Sequence, residues 1–159
     1  MFCNKYNHTI DDKGRLIIPV EYREELAGGG SDNGYPRRFY ITTNLWDPMG
    51  AQEPCLYLWP EDNYRMLRDK LAGMSEQDPQ VRRMKRKFFS STQSTTLDKQ
   101  GRVLIIPELK EYAGIEHDVK LIGMDMRIEV WNADAWKAYQ AADEDDGSHW
   151  SETLGALGF

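Results

Sequence analysis

Polar and apolar positions fall into short runs along this chain, and one sequence of runs is written twice. Residues 8–26, HTIDDKGRLIIPVEYREEL, pass from a polar turn to an aliphatic stretch and then to a charged helical pattern. Residues 95–113, TTLDKQGRVLIIPELKEYA, do the same. The patterning predicts a short strand over 7–11 and over 94–98, each followed by a tight turn centred on Gly14 or Gly101, where glycine supplies a positive φ. β-branched-rich strands are predicted over 15–18 and 102–106. Short helices are predicted over 20–27 and 108–113, stopped by Gly28 and Gly114. Two further strands follow near 37–43 and 55–59, matched by 118–123 and 127–131. A helix then starts near Asp62 or Asn132, each read as an N-cap. Between the copies, DPQVRRMKRKFF (78–89) predicts a helix with Asp78 as N-cap, Pro79 at its first position, and Val81, Met84 and Phe88 on one face.

A constant offset of 87 pairs Asp11 with Asp98, Gly14 with Gly101, Arg15 with Arg102, Ile18 with Ile105 and Arg23 with Lys110. After a gap, LYLWPEDNY (56–64) lies over IEVWNADAW (128–136), with Trp59 on Trp131 and Tyr64 on Trp136. The extra residues of the first copy, 28–36 and 46–54, are rich in Gly and Pro and read as loops. Two copies so related predict a pseudo-two-fold molecule. The matched tryptophans and Tyr64 are expected in the core.

Composition narrows the classes. The chain has 159 residues and a net charge of −6, which alone disfavours a nucleic-acid ligand. The charge is segregated, however. Residues 81–110 carry eight bases against two acids, whereas residues 134–159 carry one base against six acids. A basic face can therefore coexist with an acidic tail. The five bases of the 78–89 helix read either as a solvated face or as a strip for phosphates or an acidic neighbour. Cys3 and Cys55 lack CxxC spacing and read as reduced thiols, and His8, His117 and His149 show no metal-binding spacing. No aliphatic run is long enough to span a bilayer. Neither Asp11 nor Asp98 is accompanied by a nucleophile–base pair, a phosphate loop or metal spacing, so no catalysis, cofactor, metal or small-molecule substrate is expected. A cytoplasmic location is expected. Residues 143–159 read as an acidic segment without helical periodicity after Gly147, dispensable for folding.

Asp11-x-x-Gly14-Arg15 with LIIP, repeated as Asp98-x-x-Gly101-Arg102 with LIIP, resembles the MraZ family, as do DPQVRRMKRKFF and IEVWNADAW. The resemblance covers residues 1 to about 142. Two departures stand out: Cys3-Asn4 where the family usually has Arg-Gly, and Ile106-Pro107 where Pro-Pro or Ala-Pro is common. The resemblance implies an α+β fold, a duplicated AbrB-like swapped-hairpin β-barrel (double-psi-like) with short peripheral helices. It divides the chain into repeat 1 (5–62), connecting helices (63–90), repeat 2 (91–134) and a C-terminal helix with acidic tail (135–159). It further implies a nucleoid-associated regulator of transcription that binds double-stranded DNA at directly repeated promoter boxes upstream of its own operon, in the cell-division and cell-wall gene cluster. A homo-oligomeric ring is implied as well.

On that reading Arg15 and Arg102 are the DNA contacts, because a guanidinium fork binds guanine bidentately or clamps a phosphate. Lys13 and Lys99 are expected phosphate contacts in the same turns. Asp11 and Asp98, with Gly14 and Gly101, are expected to shape the loops, each Asp either orienting its arginine or bracing the hairpin as an internal salt bridge. An antitoxin-like protein whose acidic tail covers a toxin is the competing class.

Overall fold

The computed structural model describes residues 1–27, 37–142, 147 and 149–158, with Ala27 described in its backbone only. The expected stop at Gly28 and the first insertion, 28–36, lie outside the described residues. The first unit consists of β1 (Lys5–Thr9), β2 (Arg15–Ile17), α1 (Val20–Ala27), β3 (Phe39–Thr43), β4 (Cys55–Pro60) and α2 (Glu61–Ala72). After α3 (Pro79–Ser91) the order repeats: β5 (Gln93–Thr95), β6 (Arg102–Leu104), α4 (Pro107–Ala113), β7 (Asp118–Met124), β8 (Arg127–Asn132) and α5 (Ala133–Ala142). A last helix, α6 (Trp150–Ala156), lies in the acidic tail.

The strands form one antiparallel sheet in the order β1-β7-β8-β4-β3-β5 and a two-stranded ribbon of β2 and β6. Read from either end, the sheet order is the same once each strand is replaced by its counterpart. The first strand of each unit pairs with the third strand of the other: β1 leaves its unit to join β7, and β5 leaves its unit to join β3. Equivalent residues face each other at two places. Leu16 lies opposite Val103 in the ribbon, and Tyr57 lies opposite Glu129 where β4 meets β8. The pseudo-two-fold axis passes through both pairs. The fold is α+β and antiparallel, but among the described residues the expected barrel does not close. β1 and β5 remain the two edges of the sheet, and the ribbon is a separate ladder.

Both faces of the sheet are covered, which is why β4 is buried along almost its whole length. One face places Phe39, Ile41, Leu56, Leu58, Leu121 and Val130 against the inner side of the ribbon, where Leu16 and Val103 are fully buried, and against α1 and α4. Tyr22 and Leu26, one helical turn apart, anchor α1 to this core. The other face is aromatic: Tyr57, Trp59 and Trp131 pack with Tyr64 and Phe88 from α2 and α3. Trp59 and Trp131 are buried as expected, and their indole N–H groups donate to Thr42 Oγ1 at 3.0 Å and Glu129 Oε2 at 3.0 Å.

Capping separates the two unit-closing helices. Asn132 Oδ1 accepts from the backbone of Asp134 at 2.8 Å and Ala135 at 3.0 Å, the expected N-cap. Asp62 does not act as one: α2 starts at Glu61 after Pro60, so Asp62 lies inside its first turn, where an acid favours the helix dipole. Asp78 caps α3 through Gln80 N at 2.8 Å, and Gly114 ends α4 at φ 62°. Two further expectations are corrected. Lys85 lies on the buried face of α3, one position from Met84, and its Nζ donates to Met74 O at 3.0 Å and pairs with Glu76 at 3.2 Å. It therefore does not belong to an exposed basic strip. The tail also contains helix α6, with Trp150, Leu154 and Leu157 one or two turns apart; the described residues from 149 onward are exposed.

Candidate nucleic-acid interface

The doubled turn folds by local rules. In the first unit Gly14 N donates to Asp11 O at 2.9 Å and Asp11 N to Arg15 O at 3.0 Å. In the second, Gly101 N donates to Asp98 O at 3.0 Å and Asp98 N to Arg102 O at 2.9 Å. Gly14 (φ 81°) and Gly101 (φ 75°) occupy left-handed backbone, as the sequence requires. Asp11 and Asp98 thus belong to the turns, and β1 and β5 end earlier than expected.

Each aspartate grips its turn with both oxygens. Asp11 Oδ1 accepts from the backbone N–H groups of Lys13 (3.0 Å) and Arg15 (2.9 Å), and Oδ2 from Arg15 Nε (2.7 Å). Asp98 Oδ1 accepts from Gln100 N (2.9 Å) and Arg102 N (2.8 Å), and Oδ2 from Arg102 Nε (2.8 Å). In both, the backbone N–H of the arginine, followed by its guanidinium, holds the carboxyl below the usual carboxylate range. The two roles left open for these acids, bracing the hairpin and orienting the arginine, are one and the same contact. The aspartates engage Nε in both arginines, and Nη2 of Arg102 is taken up by Gln100 Oε1 at 3.0 Å.

The ribbon sets these arginines diagonally across one face. Arg15 lies opposite Leu104 and Arg102 opposite Ile17. Because Leu16 and Val103 point into the core, strand alternation turns Arg15, Ile17, Arg102 and Leu104 to the outer face together. The ladder is extended at each end, Ile18 N donating to Gly101 O at 3.0 Å and Ile105 N to Gly14 O at 2.9 Å. Each unit also braces the other's turn. Arg23 of α1 lies so close over Gly101 that a Cβ there would meet its guanidinium at 2.3 Å, while its Nε donates to Ile18 O at 2.7 Å. Its counterpart Lys110 passes over Gly14. The offset matched Arg23 with Lys110, but only the swapped pairing of the ribbon explains why both positions carry long cations.

Lys13 and Lys99 are exposed at the turns, and among the described residues neither ammonium has a partner. They are not equivalent. Lys13 matches Gln100, and Lys99 matches Asp12. Gln100 Oε1 accepts from Arg102 Nη2 at 3.0 Å, a contact an ammonium cannot make. At the amino terminus, Asn4 takes φ 68° at the position where the family usually has glycine, a conformation asparagine tolerates better than most residues. The Tyr22 hydroxyl proton is shared between the carbonyls of Cys3 (2.9 Å) and Asn4 (2.7 Å), which ties this segment to α1. Among the described residues no three His, Cys, Asp or Glu converge to hold a metal, and no helix is long and apolar enough to cross a membrane.

Two units that exchange their first strands and pair their turn strands across a pseudo-two-fold axis define a duplicated AbrB-like protein. The family described as "MraZ protein, putative antitoxin-like" matches residues 1–32 and 88–154. Proteins named transcriptional regulator MraZ are similar over almost the whole chain. That of Desulfitobacterium hafniense (strain DSM 10664 / DCB-2) is 37% identical over 158 residues, 99% of both chains. That of Acetivibrio thermocellus is 34% identical over 158 residues, again 99% of both. That of Clostridium beijerinckii is 38% identical over 145 residues, 91% of both. The chain belongs to the MraZ family.

Proposed function

We propose that this protein is a transcriptional regulator of the MraZ type whose doubled turn contacts DNA. The observation that supports this is the pair of matching turns, each fixing an arginine by its Nε on the outer face of one two-stranded ribbon. A ribbon of that kind fits the major groove, where a guanidinium end meets guanine O6 and N7 or a flanking phosphate. The aspartate contact holds the fork in place before DNA arrives, which limits the rotamer entropy lost on binding. Lys13 and Lys99 extend from the same turns toward the phosphates. The operator consists of direct repeats upstream of the protein's own operon, in the cell-division and cell-wall cluster. Several subunits of a ring engage it, so that weak single contacts add through linked binding. Cytoplasmic, nucleoid-associated protein is the form that acts.

The test is a gel-shift titration on the DNA directly upstream of the coding sequence, with circular dichroism as the folding control. Arg15→Ala and Arg102→Ala should each cost roughly 1–3 kcal/mol per lost bidentate contact, with the fold unchanged. Lys13→Ala should weaken binding to all sequences and flatten the salt dependence. Wild-type affinity in a folded Arg15→Ala, Arg102→Ala double variant would remove the doubled turn from the interface.

A further inference from the structure

We propose that Ile17 and Leu104 are specificity-determining residues that read thymine C5-methyl groups in the major groove, beside the groups taken by the two arginines. This rests on the DNA-binding reading above. The ribbon's outer face is a block of four residues in which arginine and a branched aliphatic alternate both along and across the strands. Ile17 is 45% exposed and Leu104 51% exposed, although each occupies a ladder position bounded by the buried Leu16 or Val103. Nothing in the two turns requires an aliphatic there. The positions face outward, their backbone pairing is independent of the side chain, and a polar β-branched residue would fit the strand equally well.

What distinguishes these two aliphatics from other exposed apolar residues is their placement. Directly opposed residues on an antiparallel ladder have Cβ atoms about 4.5–5.5 Å apart. Successive bases on one strand are about 3.4 Å apart. An arginine and its facing aliphatic therefore span neighbouring base pairs when the ribbon lies in the groove. The thymine C5-methyl is the apolar feature of the major-groove edge, and an aliphatic side chain is the group that recognises it. The pseudo-two-fold axis through Leu16 and Val103 then produces the arrangement twice, Arg15 with Leu104 and Arg102 with Ile17.

The experiment uses the full-length protein and the duplex directly upstream of its coding sequence, amplified with either dTTP or dUTP so that one product lacks every C5-methyl. Affinity is measured by fluorescence anisotropy at several salt concentrations for wild type, Ile17→Ala/Leu104→Ala and Arg15→Ala/Arg102→Ala. Burying one methyl-sized group is worth about three- to five-fold in affinity, so wild type should lose about ten-fold or more on the uracil duplex. Ile17→Ala/Leu104→Ala should bind both duplexes alike, near the level of wild type on uracil DNA. Its salt dependence should match wild type, because no charge has been removed.

Equal wild-type binding to the two duplexes overturns the proposal, as does a uracil penalty that persists in the aliphatic double variant. In both cases the arginine variant would still bind weakly, and the DNA-binding reading would stand. Full-strength binding by the arginine variant overturns that reading itself. A change in assembly mass by light scattering for Ile17→Ala/Leu104→Ala, without uracil sensitivity, would assign the aliphatic pair to a contact between copies and overturn the proposal.

Discussion

The turn of the first unit and the turn of the second grip their arginines through the same aspartate contacts, yet they differ in how firmly the guanidinium is held and in what surrounds it. Arg102 is held along one edge by two side chains, Asp98 at Nε and Gln100 at Nη2. Among the described residues Arg15 has Asp11 alone, because Lys13 occupies the position of Gln100. The second turn is the more preorganised. The first places a cation at that position instead. The atoms nearest to each glycine differ too: a backbone carbonyl, Ile105 O, at Gly14 and a flexible guanidinium, that of Arg23, at Gly101. Duplication thus fixes the backbone of the turn and leaves the side chains around it free to divide positioning from attraction.

The largest effect expected on this comparison comes from the glycines. Alanine at either site is forced into left-handed backbone, at about 1–2 kcal/mol. At Gly14 the new Cβ also meets Ile105 O at 2.9 Å, an atom fixed in the ribbon ladder. At Gly101 it meets the Arg23 side chain, which can swing away at the loss of its bond to Ile18 O. Gly14→Ala should therefore lower stability more than Gly101→Ala in urea melts, although the closer approach is at Gly101. Equal losses would mean that Arg23 is as immobile as backbone.

A smaller effect is expected from acid. His8 is half-buried on β1, and burial, followed by the Arg23 charge, holds its pKa below the usual 6.5. The unfolded chain then binds a proton that the folded chain refuses, so stability is full above pH 6.5 and falls as pH drops below it. Its counterpart in the second unit is Thr95, which does not titrate. Urea melts between pH 5 and 7 should show this slope in wild type and lose it in His8→Thr. Asp11 and Asp98, with folded pKa values below the usual 3.8, should add a second loss as pH falls below that value, shared by both turns.

The smallest effect comes from exchanging the residue that directly precedes the glycine in each turn, Lys13 or Gln100. Gln100→Lys should add a phosphate-seeking charge and steepen the salt dependence by about one ion, and Lys13→Gln should do the reverse. Affinity on operator DNA should change less than on random DNA, since each exchange trades bracing against charge. Identical salt slopes in both variants would show that this position does not face the phosphates.

Features governed by local chemistry were legible in the sequence. The two glycines, the caps at Asp78 and Asn132 and the stop at Gly114 each follow from one residue and its immediate neighbours. Features set by distant partners were not. Lys85 belongs to a row of charges in the sequence, and only the loop carbonyl of Met74 makes its burial possible. The expected barrel stays open because β1 and β5 pair with β7 and β3 and not with each other, a choice made by register across the whole sheet. At the site, Arg15 and Arg102 stood out by repetition. Ile17 and Leu104 did not, because an aliphatic in a strand reads as core until its neighbours Leu16 and Val103 are seen to take that side.

The exchange of first strands has a consequence for how such a chain could arise and how it can be divided. Neither half owns a complete sheet: β1 is hydrogen-bonded to a strand of the second half, and the ribbon takes one strand from each. A single half, released by cutting the exposed connection at residues 73–78, would expose its ribbon strand and the inner core face beneath it. It could recover both by pairing with a second copy of itself about a true two-fold axis, with position 16 or 103 facing its own image. The present chain is what results when two such partners are joined end to end. From then on each half is free to change, provided that the other still fits it, and the unequal turns record that freedom.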